Sequence, residues 1–218
     1  MIRRFVHAHS LLALSLLAAL LATTAGASTS PGEWRFRVLL DDTEIGYHHF
    51  RLLGQGPEQQ LESEARYNVQ FLYITVYRYA HDSRERWQGN CLRQVDANTQ
   101  DNGKALAVHG AQDGNRFVVS GARNQEDLPA CVMTFAYWNP SLLGQSRLLN
   151  VQTGEYLNVQ VRTLGEENIA VRGATQRALR YALETRDFRI DLWYSPDKEW
   201  LALESRTDGG RKIRYLIQ

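Results

Sequence analysis

The most regular alternation of apolar and polar residues lies between positions 61 and 71. One set of alternating side chains is mostly apolar and consists of Leu61, Ser63, Ala65, Tyr67, Val69 and Phe71. The intervening set includes Glu62, Glu64 and Arg66. A period of two over eleven residues predicts a β-strand with one face buried and the other in water. The first set therefore predicts the inner surface of the fold.

Shorter patterns of the same kind fill most of the chain. The predicted strands are 34–39, 45–53, 61–71, 73–81, 84–87, 92–99, 105–110, 116–121, 156–164, 168–171, 179–185, 188–194, 200–206 and 213–217. Turn signals such as Asn102-Gly103 and Asp113-Gly114 separate them, which is typical of hairpins. We therefore expect an all-β fold in which a large antiparallel meander curves into an open barrel, with a two-sheet sandwich as the alternative.

One segment, Val132–Asn150, interrupts this architecture and contains no acidic residue. A short helix or an extended arm is expected over 132–138 and should end at Pro140, because proline disfavours helical geometry in the residue before it. Ser141 is then expected to cap a short turn that carries Leu142 and Leu143. The apolar side chains of this insertion require burial, so we expect it to pack across the concave face of the sheet and plug the mouth of the barrel.

The first 27 residues have the pattern of a secretory signal peptide. Arg3 and Arg4 precede an apolar run over Leu11–Ala22, and Ala25-Gly26-Ala27 provides small residues for cleavage after Ala27. A membrane anchor is the alternative, but the run is shorter than the roughly 20 residues that span a bilayer. We expect residues 28–218 to form a single exported domain without a transmembrane segment.

Export changes the interpretation of the only two cysteines, Cys91 and Cys131. An even number of cysteines in an oxidising compartment predicts a disulfide, which here would close a loop of about 40 residues. Two buried free thiols and a metal site are the alternatives. The metal site is poorly supported because two cysteines without nearby histidines do not complete a tetrahedral shell.

The sequence contains no recognised catalytic or cofactor motif. It lacks a nucleophile elbow, a zinc-protease helix, a phosphate-binding loop and a dinucleotide fingerprint, so no catalytic residue, cofactor or metal is predicted. His48 and His49 are adjacent on a predicted strand and should face opposite sides, where they cannot share a metal. The formal net charge of +1 leaves no basic field for nucleic acid.

A resemblance is carried by the last 31 residues before the terminal glutamine, DFRIDLWYSPDKEWLALESRTDGGRKIRYLI, and by FAYWNPSLLGQSRLLNVQTGEYL in the insertion. These segments are similar to an uncharacterised family of exported domains of unknown function from Gram-negative bacteria. The C-terminal hairpins also resemble the half-open barrels of lipoprotein-carrier domains. The resemblance implies residence in the periplasm and carries no catalytic assignment.

Two functional hypotheses follow. In the first, a non-enzymatic periplasmic protein binds or carries an apolar or amphipathic, lipid-like molecule in its curved sheet, with 135–138 as a lid. The candidate ligand-binding residues are Tyr67, Phe71, Tyr73, Tyr77, Phe135, Tyr137 and Trp138, with Tyr79 on the same strand as Tyr77. In the second, a structural or interaction module with a filled core docks a partner protein of the cell envelope. An enzyme is the least supported class.

Overall fold

The structure, a computed structural model, describes residues 32–121 and 125–218. The predicted signal peptide and its cleavage site lie outside the described residues, and the side chain of Phe71 is not described. The described residues belong to one compact unit. None of their helices is both long enough and apolar enough to span a membrane.

The backbone forms fifteen strands and one short 3-10 helix, Pro140–Gly144, among the described residues. The first eight strands are β1 (Glu33–Leu40), β2 (Thr43–Leu53), β3 (Glu58–Phe71), β4 (Ile74–Gln88), β5 (Cys91–Asp101), β6 (Lys104–Asp113), β7 (Arg116–Ser120) and β8 (Glu126–Pro129). The others are β9 (Arg147–Leu149), β10 (Tyr156–Asn158), β11 (Gln160–Val171), β12 (Ala174–Glu184), β13 (Arg189–Tyr194), β14 (Trp200–Arg206) and β15 (Lys212–Ile217).

Thirteen of these strands form one antiparallel sheet that does not close. Its order is β11-β12-β13-β14-β15-β1-β2-β3-β4-β5-β6-β7-β8, so strands that are neighbours in sequence are neighbours in space except where β15 pairs with β1. β9 and β10 form a separate hairpin. The predicted all-β class and open sheet are confirmed. The sandwich alternative is wrong, because the thirteen strands belong to one continuous sheet.

Three predicted strand divisions are wrong. The patterns at 73–81 and 84–87 belong to one strand, β4, because His81 and Ser83 continue the buried face while Asp82 stays exposed. The pattern at 156–164 covers β10 and the start of β11, whereas 168–171 is the end of β11. Residues 126–129 lie outside the predicted strands, yet they form β8 and pair with β7. In β8 only Leu128 is buried, so the apolar pattern was too short to indicate a strand.

The insertion Val132–Asn150 begins as an irregular arm and then forms the 3-10 helix. Asn139, rather than Ser141, caps this helix, because the Asn139 side chain accepts a hydrogen bond of 3.0 Å from the Ser141 backbone N–H. Pro140 begins the helix and does not end one, since a proline at the first helical position loses no hydrogen bond. The predicted cap at Ser141 was therefore misplaced by two residues.

The insertion packs against the inner face of the sheet, defined as the face that carries buried Phe36, Leu61 and Leu192. Its buried side chains belong to the same core as those strands: Val132, Met133, Ala136, Leu142, Leu148 and Leu149. The backbone N–H of Leu92 in β5 donates to the carbonyl of Val132 at 2.9 Å. The predicted packing of the insertion across the sheet is confirmed.

Cys91 and Cys131 form a disulfide, with an S–S distance of 2.00 Å and a Cα–Cα distance of 4.7 Å. The bond ties the first residue of β5 to the residue that precedes the insertion. The predicted pairing is confirmed, and the alternatives of free thiols and a metal site are excluded.

Candidate functional site

Four inward-facing aromatic residues, Tyr67, Tyr79, Tyr215 and His48, lie together near the start of β4, and we call them the tyrosine cluster. Tyr67 and Tyr79 are opposite each other on β3 and β4, and their rings stack with centroids 5.0 Å apart and an interplanar angle of 12°. Tyr215 comes from β15, on the far side of β1 and β2. The curvature of the sheet therefore joins strands that are not neighbours.

Hydrogen bonds join the polar atoms of the tyrosine cluster. His48 Nε2 lies 2.7 Å from Ser63 Oγ, and His48 Nδ1 lies 3.2 Å from the Tyr215 hydroxyl. The Tyr215 hydroxyl also bonds the Tyr67 hydroxyl. A neutral imidazole has one donor and one acceptor nitrogen, so it can satisfy both neighbours at once.

Burial keeps these groups uncharged. Desolvation raises the pKa of Tyr215 to about 12 and holds the pKa of Tyr67 well above its usual value. Desolvation, with a smaller contribution from His81, lowers the pKa of His48 well below its usual value. The cluster thus presents neutral donors and acceptors at neutral pH.

A second buried histidine, His81, lies on β4 two residues after Tyr79 of the tyrosine cluster. His81 is 2% exposed, and its Nδ1 lies 2.9 Å from the Thr99 Oγ1 atom. Burial lowers its pKa to about 4. Both histidines are neutral at physiological pH, which makes them weak bases and poor partners for an anionic group.

A concavity of about 620 Å³ lies against β2–β5 at this end of the sheet, and it is lined by Ile45, Tyr67 and Tyr79 together with Tyr47, Arg66 and Arg78 from the opposite face of the same strands. Its wall is mostly apolar. Gly46, another lining residue, has a φ of 150°, and a Cβ atom there would lie 1.9 Å from the Arg66 carbonyl oxygen. A side chain at this position would separate β2 from β3 and deform the wall of the concavity.

The predicted ligand-binding residues on β3 and β4 are not all brought together. Tyr67 lines the concavity and Tyr77 is half-buried on β4. Tyr73 was predicted in a strand, which is wrong: it lies in the β3–β4 turn with a φ of 65° and is 99% exposed. No glycine or asparagine marks that turn, so the alternating pattern was extended through it. The side chain of Phe71 lies outside the description.

The three aromatic residues of the insertion are partly buried and pack against the core. Trp138 meets Trp87 edge to face at 5.7 Å, and Tyr137 lies 5.2 Å from Trp200. Phe135 lies 5.9 Å from Phe188 in the β12–β13 turn. The Tyr194 hydroxyl donates to the Tyr137 carbonyl at 2.7 Å, so β13 holds the arm in place.

Glu85 is a buried carboxyl group between the tyrosine cluster and the insertion. It is 3% exposed, and the Thr134 hydroxyl of the insertion donates to its Oε2 at 3.0 Å. Desolvation raises the pKa of Glu85 to about 7. Sequence reasoning missed this residue because the alternation of β4 was divided between two predicted strands.

The arrangement is better suited to binding than to catalysis. Ser63 and His48 form a hydrogen-bonded pair, but burial depresses the basicity that a nucleophile would require from the imidazole. In the parts of the chain that the structure describes, no group of three or more His, Cys, Asp or Glu side chains is placed to hold a metal ion. What remains is a mostly apolar wall whose polar groups include the hydroxyls of Tyr67 and Tyr79 and the guanidinium groups of Arg66 and Arg78.

Comparison with known proteins places the fold and the family. The structure is similar to the crystal structure of a beta-barrel-like protein of a domain of unknown function, DUF1849, from Brucella abortus, with a TM-score of 0.61 at 9% sequence identity. The similarity covers 85% of this chain and 94% of that chain. No curated protein matches. A family model matches residues 36–218, and the chain therefore belongs to the DUF6134 family of domains of unknown function.

Proposed function

We propose that this protein is a non-enzymatic binding or carrier protein that holds an apolar or amphipathic, lipid-like molecule against the tyrosine cluster. The observation that carries the proposal is the mostly apolar concavity of about 620 Å³ bordered by the stacked rings of Tyr67 and Tyr79. An apolar chain would pack on these rings, and the hydroxyls of Tyr67 and Tyr79 with the guanidinium groups of Arg66 and Arg78 would bond a polar head.

The proposed location is the periplasm. The signal-peptide pattern of the first 27 residues supports export, and the Cys91–Cys131 disulfide is typical of oxidising compartments. Cell fractionation with mass spectrometry of the intact protein tests this proposal. A protein found in the cytoplasm with residues 1–27 intact would contradict it.

The alternative function is a structural or interaction module of the cell envelope with a filled core. The observation that favours it is the burial of the insertion, whose Leu142 and Leu148 are fully buried against the sheet. If the same close packing extended to the tyrosine cluster in solution, no ligand would enter.

Ligand binding separates the two functions. The protein is purified as it accumulates in cells, organic extracts are analysed by mass spectrometry, and the stripped protein is titrated with a fatty acid that carries a fluorescent group. Tyr79→Ala should weaken binding about tenfold, since it removes an aromatic wall. Tyr156→Ala is the matched control, because Tyr156 is a half-buried tyrosine on β10 that does not line the concavity.

Two results would contradict the carrier function: no lipid in the extracts together with no saturable binding, or equal losses in the Tyr79 and Tyr156 variants. Either result would favour the interaction module.

A further inference from the structure

The β3–β4 hairpin extends past the positions at which it pairs with its neighbours β2 and β5. Pairing between β2 and β3 ends at Tyr67, and pairing between β4 and β5 begins at Tyr79. Between these positions, residues 69–71 and 74–77 pair only with each other in the described strand ladder. At about 3.3 Å per residue, this two-stranded projection reaches on the order of 15 Å past Tyr67.

The tip of the projection is apolar and exposed. Leu72 is 74% exposed, Tyr73 99%, Ile74 68% and Val76 52%. The sequence from 68 to 78 contains no acidic residue, and its only charge is Arg78 at the base. Exposed apolar side chains are ordinary when they occur singly, but four within five residues at a projecting tip indicate a contact surface.

The backbone of the turn is unfavourable for the residues that occupy it. Leu72 and Tyr73 have φ values of 47° and 65°, whereas the turn at Asn102-Gly103 has the residues that such a conformation favours. Left-handed geometry is costly for large side chains. Neither side chain is buried, so no burial of apolar surface within the chain offsets this backbone cost. Leucine and tyrosine at these positions therefore do not stabilise the fold.

We infer that this tip docks onto a lipid bilayer surface, with Leu72, Tyr73 and Ile74 entering the interface and Arg78 at headgroup level. A protein partner fits the shape less well, because a convex tip of four residues offers far less than the roughly 800 Å² per partner of a stable protein interface. A deformable bilayer accepts a convex apolar tip, and tyrosine and arginine are the residues that favour its interface. The projection itself carries no acidic side chain, and Glu44 of β2 lines a concavity with Val69 and Val76 at its base, so repulsion from anionic headgroups is reduced at the tip.

The tip also has a continuous connection to the candidate ligand site, since the same two strands carry Tyr67 and Tyr79. A bilayer docked at 72–74 would therefore lie at the end of the sheet where the concavity opens. Docking onto a bilayer does not depend on the proposed ligand binding. Either one can be wrong while the other is right.

The test is co-sedimentation of the full protein, in the form that accumulates in cells, with vesicles of phosphatidylethanolamine and phosphatidylglycerol. The double variant L72N/Y73G installs the residues that a turn of this conformation favours and removes two apolar side chains. Its partitioning onto vesicles should fall about tenfold or more, while its melting temperature should stay the same or rise. Leu164→Asn is the control, because Leu164 is a 44% exposed leucine on the edge strand β11 and should leave partitioning unchanged.

Three results would overturn the inference: wild-type protein that does not bind vesicles, a double variant that binds as well as wild type, or self-association that the double variant abolishes without any vesicle binding. Binding of the fluorescent fatty acid is measured on the same double variant. Unchanged fatty-acid affinity with lost vesicle binding would show that the tip and the tyrosine cluster act separately.

Discussion

The two ends of β4 place similar side chains in different surroundings. At the later end, Trp87 is 2% exposed and packs against Trp138 of the insertion, which fills the interior there. At the earlier end, Tyr79 and Tyr67 are only partly buried and border a concavity. Both ends follow the same period of two. The alternation of apolar and polar residues therefore decides which side chains of β4 face inward. The insertion Val132–Asn150 decides whether the space on that inner face is filled.

Removal of the disulfide should have the largest effect on the filled end. The bond closes a loop over a sequence separation of 40 residues, so the double variant C91S/C131S should lose about 4 kcal/mol of unfolding free energy through greater entropy of the unfolded chain. Chemical denaturation measures the loss. Fatty-acid affinity of the folded variant should be unchanged; a large loss of affinity would show that the insertion also shapes the tyrosine cluster.

Glu85 should give the protein a pH-dependent stability. Its folded pKa of about 7 lies above the usual 4.5, so the folded state binds more protons between these values and stability should fall as pH rises from about 4.5 to 7. The shift corresponds to about 3 kcal/mol. Glu85→Gln should remove this dependence and be more stable than wild type at pH 8.

The control for this measurement is Glu64→Gln, an exposed carboxylate on the outer face of β3. The two buried histidines, whose pKa values are lowered, change wild-type stability in the opposite direction, so the difference in unfolding free energy between wild type and Glu85→Gln is the quantity that is compared. A difference that does not change between pH 5 and 8 would show that water reaches Glu85.

Trp138→Ala should destabilise the filled end by a comparable amount. The indole packs against Trp87 and joins the insertion to β4, so its loss should cost about 3 kcal/mol. Thermal unfolding measures the change. An unaltered melting temperature would mean that Trp138 serves as a contact residue for another molecule.

Tyr67→Phe should have the smallest effect, and it tests the open end. The substitution keeps the ring that stacks on Tyr79 and removes the hydroxyl that bonds Tyr215, so it should cost about 1 kcal/mol of stability. Tyr156→Phe on β10, away from the concavity, is the control. If Tyr67→Phe lowers fatty-acid affinity while Tyr156→Phe does not, the Tyr67 hydroxyl contacts the ligand.

The strands could be predicted because their signal is local, whereas the tyrosine cluster depends on contacts between distant residues. Tyr67 and Tyr215 are 148 positions apart, and nothing in either strand indicates that β15 pairs with β1. Conversely, Tyr73 was misassigned because its local pattern continued through a turn that lacks turn-forming residues. The burial of His48 and Glu85 also depended on tertiary packing, because a histidine or a glutamate on a strand is more often exposed.

The pairing of β15 with β1 has a consequence for how the chain is made. Two meanders, β1–β8 and β11–β14, can form from neighbouring strands, but they are joined only by the six residues Lys212–Ile217 near the very end of the chain. Until β15 pairs with both of them, β1 and β14 each present an unpaired edge, and such edges favour aggregation. The strand that makes the sheet continuous follows all the others in sequence, so deletion of residues 212–217 should yield insoluble protein.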